Sequence, residues 1–256
     1  MTISATLGTA TTRSDARADK PVPMLNALTR KLSMLRAIGD EALADLELLI
    51  DDFEWVRPGG LIAPEKCPPS EAIVLLDGWA CRCTDFRDGR RQLLAVLISG
   101  DMVYEGGARR RADHTARALT RVKIARVSNE RLAAVVERHP CISEALWIAA
   151  AIDEAILRSW LVNLGQRNAH ERMAHLFCEL AARLNDGVLP SSASFTLPLT
   201  QPELACALGL TTVHVNRVLQ RLRAEGLVRL IDRVMTIPNA VQLSAMAGFD
   251  SAYLLA

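Results

Sequence analysis

Residues Leu199 to Gly226 read LTQPELACALGLTTVHVNRVLQRLRAEG, and the fold turns on this stretch. Thr200 can cap a helix, and Glu203 three residues on completes a capping box in which each side chain serves an otherwise unpaired N–H. Leu199 and Leu204 flank that cap as a hydrophobic staple. Pro202 is tolerated because first-turn N–H groups have no intrahelical partner. Gly209 ends the helix where a left-handed residue is expected. Thr211 or Thr212 caps a second helix running to about Glu225, with Gly226 just beyond its end. Ala205 falls where the helices cross closely. Leu204, Leu208, Leu210, Val215, Val218, Leu219 and Leu222 form an apolar stripe at helical spacing. Two short helices joined by a glycine turn are a helix-turn-helix, the geometry that sets a helix in the major groove of DNA. The second helix turns Thr212, His214, Asn216, Arg217, Gln220 and Arg221 outward.

At 256 residues the chain is long enough for two domains, each with its own core. Half the residues are hydrophobic, yet no apolar run approaches the roughly 18 residues of a membrane span. A net charge of +1 argues against sequence-independent binding of polyanions, whereas a sequence reader needs only a local positive face. Arg217, Arg221 and Arg223 supply one. Residues 1–24 read as a disordered start: Met1 to Lys20 is rich in Thr, Ala and Ser and lacks the apolar core of a signal peptide. A cytoplasmic location is expected. The six cysteines, at 67, 81, 83, 141, 178 and 206, show no C-x-x-C spacing, so buried free thiols are expected rather than a metal or redox motif. Cys81 and Cys83 lie two apart on an expected strand and share one face.

The rest of the chain reads as an α+β fold. Residues 25–139 form an N-terminal antiparallel β-roll domain that opens on helix 25–50, with leucines at three-four spacing. Pro58-Gly59-Gly60, Asp77-Gly78, Asp88-Gly89 and Gly100-Asp101 then punctuate β-rich pieces about every ten residues. A short helix from Glu130 to Arg138 is stopped by Pro140. Residues 140–165 form a long central helix, apolar on two sides. Ile142, Ala145, Ala149, Ile152, Ile156 and Ser159 step at alternating three and four, and Leu146, Ala150, Leu157, Trp160 and Leu164 make a second stripe. One side is expected to meet the roll and the other the same helix of a second subunit, with the first stripe as the dimer seam. After a hinge at Gly165-Gln166, residues 166–256 carry a helix from Ala169 to Leu184, a loop from Asn185 to Ser194, the helix-turn-helix, and a two-stranded wing turning near Asp232.

This order of parts, with LTQPELACALGLTTVHVNRVLQRLRAEGLV and DGRRQLLAVLISGD, resembles the Crp/Fnr family of bacterial transcription regulators over roughly residues 30 to 240. The resemblance implies a cyclic-nucleotide-binding-like roll, a central dimerisation helix and a winged helix-turn-helix. It also implies a homodimer on palindromic double-stranded DNA, contact with RNA polymerase, and control by a small-molecule effector or other signal at the roll. The family's reading helix carries Glu, then Ser or Gly three residues later followed by Arg; here those positions hold Val213, Asn216 and Arg217. Arg217 is suited to guanine O6 and N7, Asn216 to adenine, and Val213 to a thymine methyl. Thr200, Gln201, Thr211 and Arg221 are placed for phosphates, with a solvated salt bridge as the competing role for Arg221.

The resemblance does not extend to the effector site. Where cyclic-nucleotide-binding members hold the phosphate with Arg-Ser/Thr-Ala, this chain has Ala112-Asp113-His114, and Asp113 would repel an anion. Met1 to Lys20 contains no cysteine for an oxygen-sensing cluster, and no cofactor is expected. Between Arg109 and Arg126 seven Lys/Arg face one acid, Asp113, as a solvated edge or an anion-binding or polymerase-facing surface. The alternative function is a sensing roll that acts through protein contacts, which leaves the helix-turn-helix unexplained. No catalytic set or nucleophile motif suggests an enzyme.

Overall fold

A computed structural model of the chain describes residues 26–50, 52–66, 71–104 and 112–255. The start expected to be disordered (1–24), Cys67 and the Arg109 to Arg111 run lie outside the described residues. Asn26 caps α1 (Ala27–Leu35) by accepting from the Thr29 N–H, and α2 (Asp40–Leu49) follows. The single helix expected over 25–50 is therefore two. The backbone is extended at Arg36 and Gly39, and the bend lets Leu28 and Leu32 share one core with Leu46 and Leu49.

Among the described residues eight strands make the roll: β1 (Glu54–Val56), β2 (Leu61–Ala63), β3 (Glu71–Asp77), β4 (Ala80–Asp85), β5 (Arg91–Leu97), β6 (Met102–Tyr104), β7 (Thr115–Ala118) and β8 (Val122–Ser128). They form two antiparallel sheets, β1-β8-β3-β6 and β2-β7-β4-β5. In β3, Ile73 and Leu75 face the inside of the roll, while Ala72 and Val74 face the helices. That two-sided burial explains why the strand reads as a continuous apolar run rather than an alternating one. Gly100, in the turn before β6, has φ +93°, and a Cβ there would sit 2.7 Å from the Ala27 carbonyl oxygen. Only glycine lets α1 lie this close to the turn that carries Asp101.

Helix α3 (Asn129–Arg138) is followed by the long α4 (Pro140–Gln166). Pro140 starts α4 as its first residue, where the absent N–H has no partner to lose. Next come α5 (Ala169–Arg183), β9 (Ala193–Thr196), α6 (Gln201–Leu208), α7 (Thr212–Ala224), β10 (Arg229–Ile231), β11 (Val234–Ile237), α8 (Ala240–Ala247) and a 3₁₀ turn, Ser251–Leu254. Part of the segment read as a loop is β9, which pairs with β11, so the wing hairpin belongs to a three-stranded sheet ordered β10-β11-β9. Asp232 and Arg233 both take left-handed φ at its turn.

The two halves share a core. Cys81 and Cys83, on one face of β4, are buried with Leu93 and Val96 against Phe177, Leu204 and Leu208. A buried ionic chain crosses the same junction. Asp101 accepts from Lys31 of α1 and Arg183 of α5, each at 2.7 Å, and from the Ile98 N–H. Burial alone would raise the Asp101 pKa; Lys31 and Arg183 outweigh it and hold the carboxyl low. Glu179, fully buried, accepts from Trp160 Nε1 and the Tyr253 hydroxyl, tying α5 to α4 and to the 3₁₀ turn.

The stripe expected as the dimer seam on α4 packs within its own chain. Ile142 and Ala145 are wholly buried with Leu28, Leu32 and Val74, and Ala149 packs beside them. Ile156 is buried, and Ile152 half-buried, in the core shared with the carboxy-terminal half. Ser159 lies 3.3 Å from His175 Nε2. This stripe faces its own chain. The outward face is a third one, running through Trp147 (75% exposed), Ala151, the Glu154–Arg158 ion pair, Leu161 (72% exposed) and Val162.

Candidate nucleic-acid interface

The caps of α6 and α7 form from neighbouring residues. Thr200 accepts from the Glu203 N–H, and Glu203 accepts from the Thr200 N–H at 2.7 Å, closing the capping box. Gly209 takes φ +62° at the turn. Thr211, rather than Thr212, is the cap of α7, accepting from the His214 N–H at 3.2 Å. Leu204, Ala205 and Leu208 of α6 and Val215, Val218, Leu219 and Leu222 of α7 turn inward, which presses the other side of α7 into solvent. Arg172 of α5 donates to the Leu208 carbonyl at 3.1 Å and to that of Arg167 at 2.8 Å, so the motif is anchored where α4 ends.

The candidate contact residues sort by exposure and by prior commitments. Thr200, Thr211, Thr212, Val213, His214, Arg217, Gln220 and Arg221 are exposed; Gln201 and Asn216 are half-buried. Gln201 accepts from Asn216 across the motif at 3.5 Å. Arg217 has no ion pair or side-chain hydrogen bond among the described residues, so its five donors are available to a ligand. Arg221 differs, because its guanidinium holds Glu225 at 2.8 Å. That bond is the main cause that lowers the Glu225 pKa. Val213 is 71% exposed near the tip of α7, an apolar group held in water at the start of the helix. Thr212 and Val213 also begin the helix, where backbone N–H groups have no intrahelical acceptor and favour an anion.

Two features were not singled out from the sequence. Arg229 and Arg233 are exposed on the wing beside α7, and the available signal was their position around the Asp232 turn. The outward α4 face mixes Trp147 and Leu161 with Glu154 and Arg158, so a search for the most apolar stripe passes over it. His114 Nδ1 lies 2.8 Å from Asp113, whose side chain is 95% exposed. In the roll, Arg82 donates to the Met102 and Val103 carbonyls and pairs with Asp153 of α4 at 3.1 Å. Asp113 and Arg82 are thus both engaged within the chain. No group of three or more metal-ligating side chains occurs among the described residues, and no described helix is long and apolar enough to cross a membrane.

Comparison with known proteins bears on both halves. Residues 171–246 match the Crp-like helix-turn-helix domain, and residues 53–139 match the cyclic nucleotide-binding domain. A probable transcriptional activator from Rhizobium leguminosarum bv. viciae is 30% identical over 165 residues, 64% of this chain and 68% of that protein. Transcriptional activator protein FnrL from Cereibacter sphaeroides is 29% identical over 184 residues, 69% of this chain and 73% of that protein. The solved structure of FixK2 from Bradyrhizobium japonicum superposes with a TM-score of 0.68 at 22% identity, covering 78% of this chain and 98% of that one. With an antiparallel roll, a long connecting helix and a capped helix-turn-helix in one order, the chain belongs to the Crp/Fnr family of transcription regulators.

Proposed function

We propose that this regulator acts as a homodimer on a palindromic double-stranded DNA site, reading bases through α7. In this reading residues 25–139 sense, 140–165 join the subunits and 166–256 bind DNA. The observation that carries it is Arg217, exposed and without an ion pair among the described residues on the outer side of a capped helix. Arg217 supplies a bidentate contact to guanine, Asn216 reads the adjacent base, and Val213 meets a thymine methyl. Thr212, His214 and Gln220 extend the same face. Thr200, Gln201 and Thr211 hold phosphates and set register, and Arg221 shares its charge between Glu225 and the backbone.

The dimer uses the outward α4 face, because Trp147 and Leu161, left mostly in water on one side of the helix, are stabilised by a second copy of the helix. Binding of both half-sites requires two α7 helices about 34 Å apart, one DNA turn. Transcription control then requires contact with RNA polymerase, and a small-molecule effector or other signal received on the roll side sets the DNA grip. Selection of bound fragments from a random duplex pool tests the reading. Two inverted half-sites about one turn apart are expected. A protein that is monomeric at micromolar concentration and indifferent to sequence would overturn it.

A further inference from the structure

A cleft of about 1060 Å³ opens where three parts of the chain meet: α1, the middle of α4, and the residues after α8. It lies outside the roll interior, the core in which Ala80, Ala95 and Ala116 are buried. We propose that this cleft is the effector site, and that it takes an amphipathic monocarboxylate with an aliphatic or aromatic body. The regulatory half of the proposal rests on the DNA-binding reading above; the binding half does not.

Chemistry in the cleft decides the ligand class. Trp79, Ile156 and Leu254 give it apolar walls drawn from the roll, α4 and the 3₁₀ turn respectively. Arg30 and Lys31, consecutive on α1, line another wall. Arg30 is exposed and has no acid partner among the described residues. Lys31 gives a single hydrogen bond to Asp101, which leaves two of its three ammonium donors for a second acceptor. A ligand carboxylate fits these donors with its body against the apolar walls. Asp77, Asp101, Asp153 and Asp186 also line the cleft; Asp101 is held by Lys31 and Arg183 and Asp153 by Arg82, while the exposed charges of Asp77 and Asp186 disfavour phosphates and other dianions.

Position supplies the regulatory argument. Pockets form preferentially between domains, and a ligand that touches α1, α4 and the 3₁₀ turn together binds best at one spacing of these parts. It therefore shifts the population toward the arrangement that has this spacing. The Leu254 wall lies beyond residue 246, where the helix-turn-helix match ends.

Titration of the full chain with laurate, below its micelle concentration, tests the proposal calorimetrically. One saturable site per chain is expected, with binding at least tenfold weaker in Arg30→Glu and in Leu254→Arg and unchanged in Leu48→Glu, which alters an exposed leucine on α2. Leu254→Ala serves where the arginine variant does not fold. Absence of saturable binding, or binding in the Arg30 and Leu254 variants as tight as in the wild type, overturns the site. Laurate is further expected to change affinity for the selected duplex at least fivefold in the wild type and not in Arg30→Glu. Saturable binding with no such change overturns the effector role. Duplex binding without laurate is measured alongside. Its absence in the wild type counts against the DNA-binding reading and leaves the site standing.

Discussion

Two residues carry the sharpest consequences. Arg217→Ala should weaken binding to the selected site by about 1–3 kcal/mol and relax one base position, with random duplex bound almost as before. Equal losses on both, in a gel-shift titration, would show a phosphate contact only. His175, 1% exposed, lies between Ser159 and the edge of Phe249, whose ring centroid is 5.1 Å away. Burial pushes its pKa down from 6.5 to about 4, with Arg167 adding to the effect. The folded chain therefore keeps it neutral while the unfolded chain protonates it below pH 6.5. Stability from this group is complete above that pH and is lost as pH falls toward 4, roughly 3 kcal/mol in all. Urea denaturation at pH 7 and pH 5 should show a smaller loss in His175→Phe than in the wild type; equal losses would remove His175 as the cause.

At the scale of elements, the two sides of α4 differ. Its inner side is committed to the chain's own core through Ile142, Ala145 and Ile156, and its outer side carries Trp147, Ala151, Leu161 and Val162. The double change Trp147→Glu and Leu161→Glu should give a folded monomer, seen as a halved mass in light scattering with an unchanged helical spectrum. A dimer that survives both changes would place the seam elsewhere. The helix-turn-helix was readable because each of its determinants acts within five residues: Thr200 on Glu203, Gly209 at the turn, Thr211 on His214. The outward face of α4 was not. Periodicity ranks stripes by apolar content, and the most apolar stripe of a helix with a core on one side is the one its own chain buries. For the same reason the break at Gly39 and the strand β9 were missed, since each exists only to reach a distant neighbour.

Over the whole molecule, the junction of the halves depends on charges far apart in sequence. Arg183 reaches Asp101 across 82 residues and also donates to the Val96 carbonyl at 2.9 Å. Replacing Arg183 with Met leaves Asp101 buried beside Lys31 alone. Loss of one partner of a buried pair costs on the order of 3–5 kcal/mol. The unfolding midpoint should fall accordingly, and a variant as stable as the wild type would mean that solvent reaches Asp101. The Tyr253 and Trp160 bonds to Glu179 belong to the same junction, so the 3₁₀ turn closes the molecule as well as one wall of the cleft.

The sequence by itself determined the order of parts, the capped helices of the DNA-reading motif and the outward set around Arg217, because caps, turn glycines and periodicity are short-range. Tertiary structure alone decided which side of α4 stays in water, which acids and bases meet at Asp101, and where a cavity remains between the halves. Those outcomes depend on surfaces tens of residues apart in the chain competing for the same burial, and no local pattern records which surface wins.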